Sequence, residues 1–354
     1  MKKLLYSLLI IVSTLSFYAC DSDNPVPDNS PYDIYIGGQK TTSSNYSNTA
    51  GFWKNGIWNK AENLNTTIDS SVESIAVNGE NVYISGSFSP EGPQLSERLT
   101  KPGYWRNNEL TELNIPATSS NSSAKSINFA GEDIYLAGLI RINNCNIAGY
   151  WINSTWHNLT PENSTADSIA YGVAFNGNET YICGAIVNPT LNTYKAGYWK
   201  NGNWHALDTS NDLNHSFAKQ IIIENGSIYI YGYKEGVNAG YWKDDNWNLV
   251  CSELYFTKSM FVTNGDVYIT GSRKNDENID IPGYWRNSEW NELPTTGYNA
   301  YASSIFVIND DIFVAGYRKD STNIEYAGYW LNKTWIPICD TYSSTSAIIV
   351  KAKR

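Results

Sequence analysis

Four basic side chains occupy one recurring position of the sequence, two residues after a glycine that ends a short apolar segment. They are Lys40, Lys234, Arg273 and Arg318. The three other copies of this position carry Phe88, Ile140 and Ile186. Lysine and arginine bind carboxylate, sulfate or phosphate groups, and arginine can donate two parallel hydrogen bonds. In a chain of net charge −10, four cations at equivalent positions predict an anion-binding site.

Acidic residues in the same loops provide an alternative reading of these cations. They are Glu235, Asp276, Glu277, Asp320 and Glu325. Local ion pairs on a protein surface contribute only about 0–1 kcal/mol each. The sequence therefore leaves two interpretations open, a ligand site and ordinary surface pairing.

Catalytic motifs are absent from the sequence. It contains no His-Glu-x-x-His, no Gly-x-Ser-x-Gly and no phosphate-binding Gly-Lys-Ser/Thr segment. It also lacks the cysteine and histidine spacings of zinc sites. Of three histidines, only His215 lies in a long loop where it could join a site. We predict a non-catalytic protein with no cofactor and no metal.

The N-terminus has the pattern of an exported protein. Lys2 and Lys3 precede an apolar run that is too short for a comfortable membrane span. The segment Phe17-Tyr18-Ala19-Cys20 resembles a bacterial lipobox. The resemblance implies a signal peptide over residues 1–19, acylation of Cys20, and a polar tether over residues 20–32. The protein would then be held by lipid at a membrane, which we expect to be the outer membrane, with either leaflet possible.

The charge balance excludes one class of partner. Loss of residues 1–19 would remove two lysines and no acid, leaving 23 basic and 35 acidic residues, a net charge of −12. A polyanion such as a nucleic acid is therefore an unfavourable partner. We expect a monomer whose membrane contact is through the lipid alone.

A Gly-Tyr-Trp phrase, which reads Gly-Phe-Trp in its first copy, is followed by a turn and usually a second Trp and occurs seven times in all. The first Trp residues are Trp53, Trp105, Trp151, Trp199, Trp242, Trp285 and Trp330, spaced by 43 to 52 residues. The second set, five residues on, is Trp58, Leu110, Trp156, Trp204, Trp247, Trp290 and Trp335. A repeat of this length is typical of a β-propeller blade.

Each repeat contains four strand-like segments, which we label a to d. Segments a and b, and segments c and d, are joined by tight turns that often read Asn-Gly, as at Asn201-Gly202. The first repeat lacks segment a, and residues 347–350 form a segment a without a segment b. We therefore predict an all-β fold over residues 33–354. It would be a single seven-bladed β-propeller with four antiparallel strands per blade, closed by the C-terminal strand completing the first blade.

The order of segments resembles Kelch-like propellers, which also have a segment b ending in glycine and an aromatic c–d hairpin. The sequence departs from that family because segment b ends in one glycine, except at Gly37-Gly38. It also resembles repeat lipoproteins of the Bacteroidetes type, whose roles are mostly unassigned. These resemblances imply a fold and an envelope location, and they imply no specific ligand.

The tryptophans occupy fixed repeat positions, which indicates packing between blades rather than ligand binding. Aromatic residues outside the repeat are the better ligand candidates. They are Tyr46, Phe88, Tyr194, Tyr255, Phe256, Tyr298, Tyr301, Tyr326 and Tyr342.

Alternation of tight and long connections places all b–c and d–a loops at one end of the sheets. Long loops on a rigid scaffold commonly carry recognition residues. We therefore expect a recognition module that binds a glycan or a protein through this loop face. The alternatives are a propeller enzyme, such as a lyase or hydrolase acting on polysaccharide, and a structural scaffold of the envelope.

Cys145 and Cys183 are expected on the loop side of neighbouring blades. Export permits disulfides, so a Cys145–Cys183 bond and two separate thiols both remain open at this point.

Overall fold

The computed structural model describes residues 29–353 except 43–46, 63–66, 91–98, 161–165, 208–212, 235–237 and 253–255. The predicted signal peptide, Cys20 and most of the predicted tether lie outside the described residues. The described chain forms 27 β-strands. It begins with β1 (Tyr32–Thr42), β2 (Ser47–Lys54) and β3 (Ile57–Lys60).

Five sheets follow, each with four antiparallel strands in sequence order. The first contains β4 (Thr67–Asn78), β5 (Asn81–Pro90), β6 (Lys101–Arg106) and β7 (Glu109–Glu112). The second contains β8 (Ser123–Ala130), β9 (Asp133–Ile142), β10 (Cys145–Ile152) and β11 (Thr155–Asn158). The third contains β12 (Ser168–Asn176), β13 (Glu179–Asn188), β14 (Thr193–Lys200) and β15 (Asn203–Ala206).

The fourth contains β16 (Phe217–Glu224), β17 (Ser227–Lys234), β18 (Asn238–Lys243) and β19 (Asn246–Cys251). The fifth contains β20 (Phe256–Thr263), β21 (Asp266–Lys274), β22 (Asp280–Arg286) and β23 (Glu289–Glu292). The described chain ends with β24 (Ala300–Ile308), β25 (Asp311–Lys319), β26 (Glu325–Leu331) and the 19-residue β27 (Thr334–Ala352).

The all-β propeller prediction is confirmed, but the predicted number of blades is wrong. The structure has five blades of four strands each, and the remaining strands form one seven-stranded sheet in the order β24-β25-β26-β27-β1-β2-β3. The reason is β27. Its first part pairs with β26 at Trp330↔Trp335, and its last part pairs with β1 at Ile36↔Ile348. The chain stays extended through the intervening residues, where a loop was expected, and Tyr342 pairs with Tyr326. One strand therefore joins what the repeat predicted as two separate blades.

Tight turns connect the strands where the sequence indicated them. Asn201 and Gly202 have φ of 50° and 83°, the left-handed conformation that a two-residue hairpin turn requires at both positions. Glycine has a different role in the Gly-Tyr-Trp phrase. A Cβ on Gly197 would lie 2.3 Å from Trp204, so glycine lets the second indole lie directly on the neighbouring backbone.

The hydrophobic core lies between adjacent sheets. Trp151, for example, is fully buried with Leu136 of its own sheet and Tyr83 of the preceding one. Its indole N–H donates to the Asn114 carbonyl at 2.8 Å. The first Trp of every repeat is at most 5% exposed, so the structural interpretation of these residues is confirmed.

Candidate functional site

The four basic residues singled out by the sequence lie at equivalent positions in β1, β17, β21 and β25. We call Lys40, Lys234, Arg273 and Arg318 the rim cations. Three of them lie over the second Trp of their own sheet. Lys40 Nζ is 5.2 Å from the Trp58 ring, the Arg273 guanidinium carbon is 5.2 Å from Trp290, and the Arg318 guanidinium carbon is 4.5 Å from Trp335.

The rim arginines also have polar partners within the protein. Arg273 forms an ion pair with Glu292 at 2.9 Å. Arg318 donates from Nη2 to the Pro294 carbonyl, and burial lowers its pKa. Lys234 ends β17 opposite Asn238, beside a segment outside the described residues. The cation–π contacts of Lys40, Arg273 and Arg318 each lie within a single sheet, and they do not bring the four rim cations together.

The aromatic residues outside the repeat have different environments. Phe88 is 1% exposed in the core. Tyr301 and Tyr326 donate hydrogen bonds to Asp280 and Asp320. Tyr298 and Tyr342 are exposed, Tyr46 and Tyr255 lie outside the described residues, and only the backbone of Phe256, in β20, is described. Tyr194 lies in a pocket, considered below.

A second set of side chains faces a cavity of about 710 Å³ that is enclosed by the inner strands β4, β8, β12, β16, β20, β24 and β27. We call it the axial cavity. Each inner strand has a β-bulge or register shift against its neighbour. The residues omitted from the pairing that line the cavity include Glu73, Lys125, Tyr171, Lys219, Lys258, Ser303 and Ser346. A bulge leaves one residue outside the ladder and redirects its side chain.

The axial cavity carries more positive than negative charge. Among the bulge residues, three are lysines and one is an acid, Glu73, which forms an ion pair with Lys125 at 2.6 Å. In the described part of the chain, Lys219 and Lys258 have no ion pair within 4.0 Å. Two cations therefore remain available to a ligand in an acidic protein.

Lys219 is held between aromatic rings. Its Nζ lies 3.7 Å from the Tyr171 ring centroid and 4.8 Å from the Phe217 centroid. The pKa of Lys219 is lowered to about 8, chiefly by burial and to a smaller extent by Lys125 and Lys258, while Cys183 and Glu73 act in the opposite direction. A lysine with a lowered pKa gains more from a bound anion than a fully solvated lysine does.

A pocket of about 490 Å³ adjoins the axial cavity and is lined by Tyr194, His215, Phe217, Lys219 and Tyr233. We call it the aromatic pocket. It lies at the long-loop end of the sheets, because β14 and β16 begin there and β17 ends there. The His215 and Phe217 rings are nearly parallel, at an interplanar angle of 12°. Its volume falls within the range of about 300–1,000 Å³ typical of small-molecule sites.

Hydrogen bonds fix the walls of the aromatic pocket. The Tyr194 backbone N–H donates to His215 Nδ1 at 3.1 Å, so a neutral His215 carries its proton on Nε2. The Tyr194 hydroxyl donates to Asp167 at 3.1 Å. The Tyr233 hydroxyl donates to the Thr257 carbonyl at 2.8 Å. The rings are thus held in place before any ligand arrives.

Lys219 lines both the axial cavity and the aromatic pocket. The arrangement can pack the face of a ring against aromatic side chains while presenting an ammonium group at one edge. Sequence reasoning identified Tyr194 and His215 but missed Phe217, Lys219 and Tyr233. One signal in the sequence could have found Lys219. In segment a, a small buried residue is followed directly by a lysine in more than one repeat, as at Ala124-Lys125 and Ala218-Lys219.

Cys145, Cys183, Cys251 and Cys339 are thiols, and burial raises the pKa of Cys183 to about 12. Within residues 29–353, apart from the gaps given above, no group of three or more His, Cys, Asp or Glu side chains is arranged to hold a metal ion. The same part of the chain contains no helix with the length and apolar character needed to cross a membrane.

No protein-family model matches the sequence, and no curated protein matches it. Several solved structures are similar in fold. The β-propeller domain of the Trilobed protease from Pyrococcus furiosus is 11% identical, with 88% of this chain and 95% of that chain covered and a TM-score of 0.48. A Dyadobacter fermentans protein of unknown function is 8% identical, with 83% and 97% covered and a TM-score of 0.49. A mutant of AofleA from Arthrobotrys oligospora is 12% identical, with 79% and 88% covered and a TM-score of 0.44. At these identities the similarity concerns the fold alone, a β-propeller.

Proposed function

We propose that this protein is a non-catalytic binding module that recognises a glycan through the aromatic pocket, at the long-loop end of the propeller. The observation that carries the proposal is the convergence of Tyr194, His215, Phe217 and Tyr233 around one preformed pocket. These four residues lie outside the repeated Gly-Tyr-Trp positions, so the packing of the repeat does not account for their types. The C–H faces of a sugar ring pack on aromatic rings, and its hydroxyl groups can bond to groups such as His215 Nε2.

A protein partner is the other ligand class that the loop face could serve. The dimensions of the pocket favour the glycan, because a concave site of this volume encloses a small ring, whereas specific protein interfaces bury about 1,200–2,000 Å² in total. Acylation of Cys20, as the N-terminal sequence predicts, would hold the module at the cell envelope, where glycans are abundant.

The test is a glycan-array screen of the chain from Asp21 onwards, which retains all 27 strands. Hits are then measured by calorimetry. Phe217→Ala should weaken binding at least tenfold, and the exposed Tyr298, 45% accessible, supplies the control substitution Tyr298→Ala, which should leave binding unchanged. His215→Ala serves as a second variant because His215 is exposed and its removal leaves the core intact.

Two results would overturn the proposal. One is the absence of glycan binding by the unmodified chain. The other is a glycan interaction that survives both Phe217→Ala and His215→Ala. The bound oligosaccharide should also be recovered intact by mass spectrometry after prolonged incubation, and its cleavage would replace the non-catalytic proposal with an enzymatic one.

A further inference from the structure

We propose that the ligand is an acidic sugar, one that carries a carboxylate or sulfate on its ring, and that Lys219 and Lys258 in the axial cavity bind this group. The inference rests on the proposed function because the ring of the same ligand would occupy the aromatic pocket. It assigns the anion to the axial cavity rather than to the rim cations.

The first support is the continuity of the two spaces. Phe217 and Lys219 are two residues apart on β16, and their side chains lie on the same boundary. Because Lys219 Nζ is 4.8 Å from the Phe217 ring centroid, a ring packed on Phe217 would bring a directly attached acid group close to the ammonium. An anion on a long flexible arm would not be required.

The second support is the difference in ion pairing among the three lysines of the axial cavity. Lys125 is neutralised by Glu73 at 2.6 Å, whereas the described residues provide no ion pair for Lys219 or Lys258. Lys219 is partly buried against Tyr171, and a partly desolvated cation interacts strongly with an anion that enters the same space.

The third support is the difference between the bulge positions around the ring. Four contribute uncharged side chains or an acid, and the lysines come from β8, β16 and β20. Lys125 and Lys258 both lower the pKa of Lys219, so each of them lies within electrostatic range of Lys219. The fold requires a bulge at each position but does not require lysine there, so the choice of residue is free to serve a ligand.

The experiment compares sugars that differ only in charge. The chain from Asp21 onwards is titrated with a glucuronate-containing oligosaccharide, its carboxyl-reduced neutral form, a sulfated oligosaccharide of equal length, and inorganic sulfate alone. We expect at least one acidic oligosaccharide to bind tenfold or more tightly than the neutral form. The uronate and sulfate arms decide which acid group is preferred.

Substitutions show which residues produce the preference for the acidic over the neutral sugar. Lys219→Met should remove the advantage of the acidic over the neutral sugar, and Lys258→Met should reduce it. Lys60→Met, at an exposed lysine on the outer strand β3, should retain it. Equal binding of neutral and acidic sugars would overturn this inference while leaving the proposed function standing. Binding of inorganic sulfate as tight as that of the acidic oligosaccharides would also overturn it, because the ring would then contribute nothing. Binding of no sugar at all would overturn both proposals.

Discussion

The rim cations and the axial lysines, Lys219 and Lys258 of the axial cavity, are both basic groups at recurring positions of the sheets, and they differ in their surroundings. Arg273 lies against a half-buried indole and an exposed carboxylate, with 42% of its side chain accessible. Lys219 lies between Tyr171 and Phe217, without an ion pair in the described chain, at the boundary of two cavities. An exposed, paired cation is already screened by water and by its partner. A partly buried, unpaired cation retains most of its attraction for a ligand. The comparison favours the axial lysines as the anion site.

The largest expected effect separates the two regions directly. Lys219→Met/Lys258→Met should weaken binding of an acidic oligosaccharide at least about 100-fold, because two charge-assisted hydrogen bonds are lost and each contributes about 1.5–3 kcal/mol. The matched rim variant Lys40→Met/Arg273→Met should change the affinity less than about twofold if its charges are already paired. Calorimetric titration at one salt concentration measures both. A stronger loss in the rim variant than in the axial variant would restore the site that the sequence predicted.

The next effect is a pH dependence that a lysine of lowered pKa would produce. Because burial lowers the pKa of Lys219 to about 8, the ammonium is largely protonated at pH 7 and largely neutral at pH 9. Affinity for an acidic sugar should therefore fall about tenfold between these pH values. Glu73, Lys125 and Lys258 act on Lys219 from other strands around the axial cavity, and so does Cys183 on β13, whose pKa burial raises to about 12.

Lys219→Arg is the control for this pH dependence. Arginine stays protonated across the range, so the variant should bind with nearly constant affinity from pH 7 to pH 9. Burial also raises the pKa of Tyr171 well above its ordinary value, and neither Tyr171 nor Cys183 changes charge in this window. A tenfold fall that persists in Lys219→Arg would show that another group is responsible.

A smaller effect concerns stability. The lowered pKa of Lys219 means that protonation is less favourable in the folded than in the unfolded chain, so the cation opposes folding at pH 7. Lys219→Met should therefore raise the free energy of unfolding by about 1–3 kcal/mol and Tm by roughly 2–6 °C. Below about pH 8 this gain is fully present, and it should decline as pH rises towards the unfolded value of 10.5. Calorimetric melting at pH 7 and pH 10 tests the sign, and a lower Tm for Lys219→Met at pH 7 would contradict it.

The sequence predicted the propeller because its signals are local. Asn-Gly turns, the buried first Trp and the glycine under the second Trp are each set by neighbours close in the chain, as at Gly197 and Trp204. The number of blades was wrong because it depended on a break in β27. Residues 340–344 read Asp-Thr-Tyr-Ser-Ser, a composition that favours a loop, although the chain stays extended there. The cations of the axial cavity were missed for a similar reason. A bulge at Lys219 shifts the register by one residue, so a side chain that simple alternation would assign to one face lines a cavity instead. Tyr194 and His215 were found because both lie in the long-loop region, where composition alone draws attention to aromatic residues.

The smallest expected effect tests whether the rim cations have only a local role. The Arg273 guanidinium carbon lies 5.2 Å from the Trp290 ring centroid, and Arg273 Nη2 lies 2.9 Å from Glu292 Oε2 on the same sheet. An exposed cation–π contact or ion pair contributes about 0.5–1 kcal/mol to the free energy of unfolding. Arg273→Ala should lower the free energy of unfolding by about that amount in dilute buffer.

The ionic part of the loss should shrink in 1 M salt, because the Debye length falls to about 3 Å, whereas the packing of the guanidinium on the indole should persist. Arg273→Lys keeps the charge without the planar stacking, so it should lose the salt-independent part alone. Denaturant unfolding at low and high salt separates the two parts, and a loss several times larger than this in either solvent would mean that Arg273 does more than cover the Trp of its own sheet.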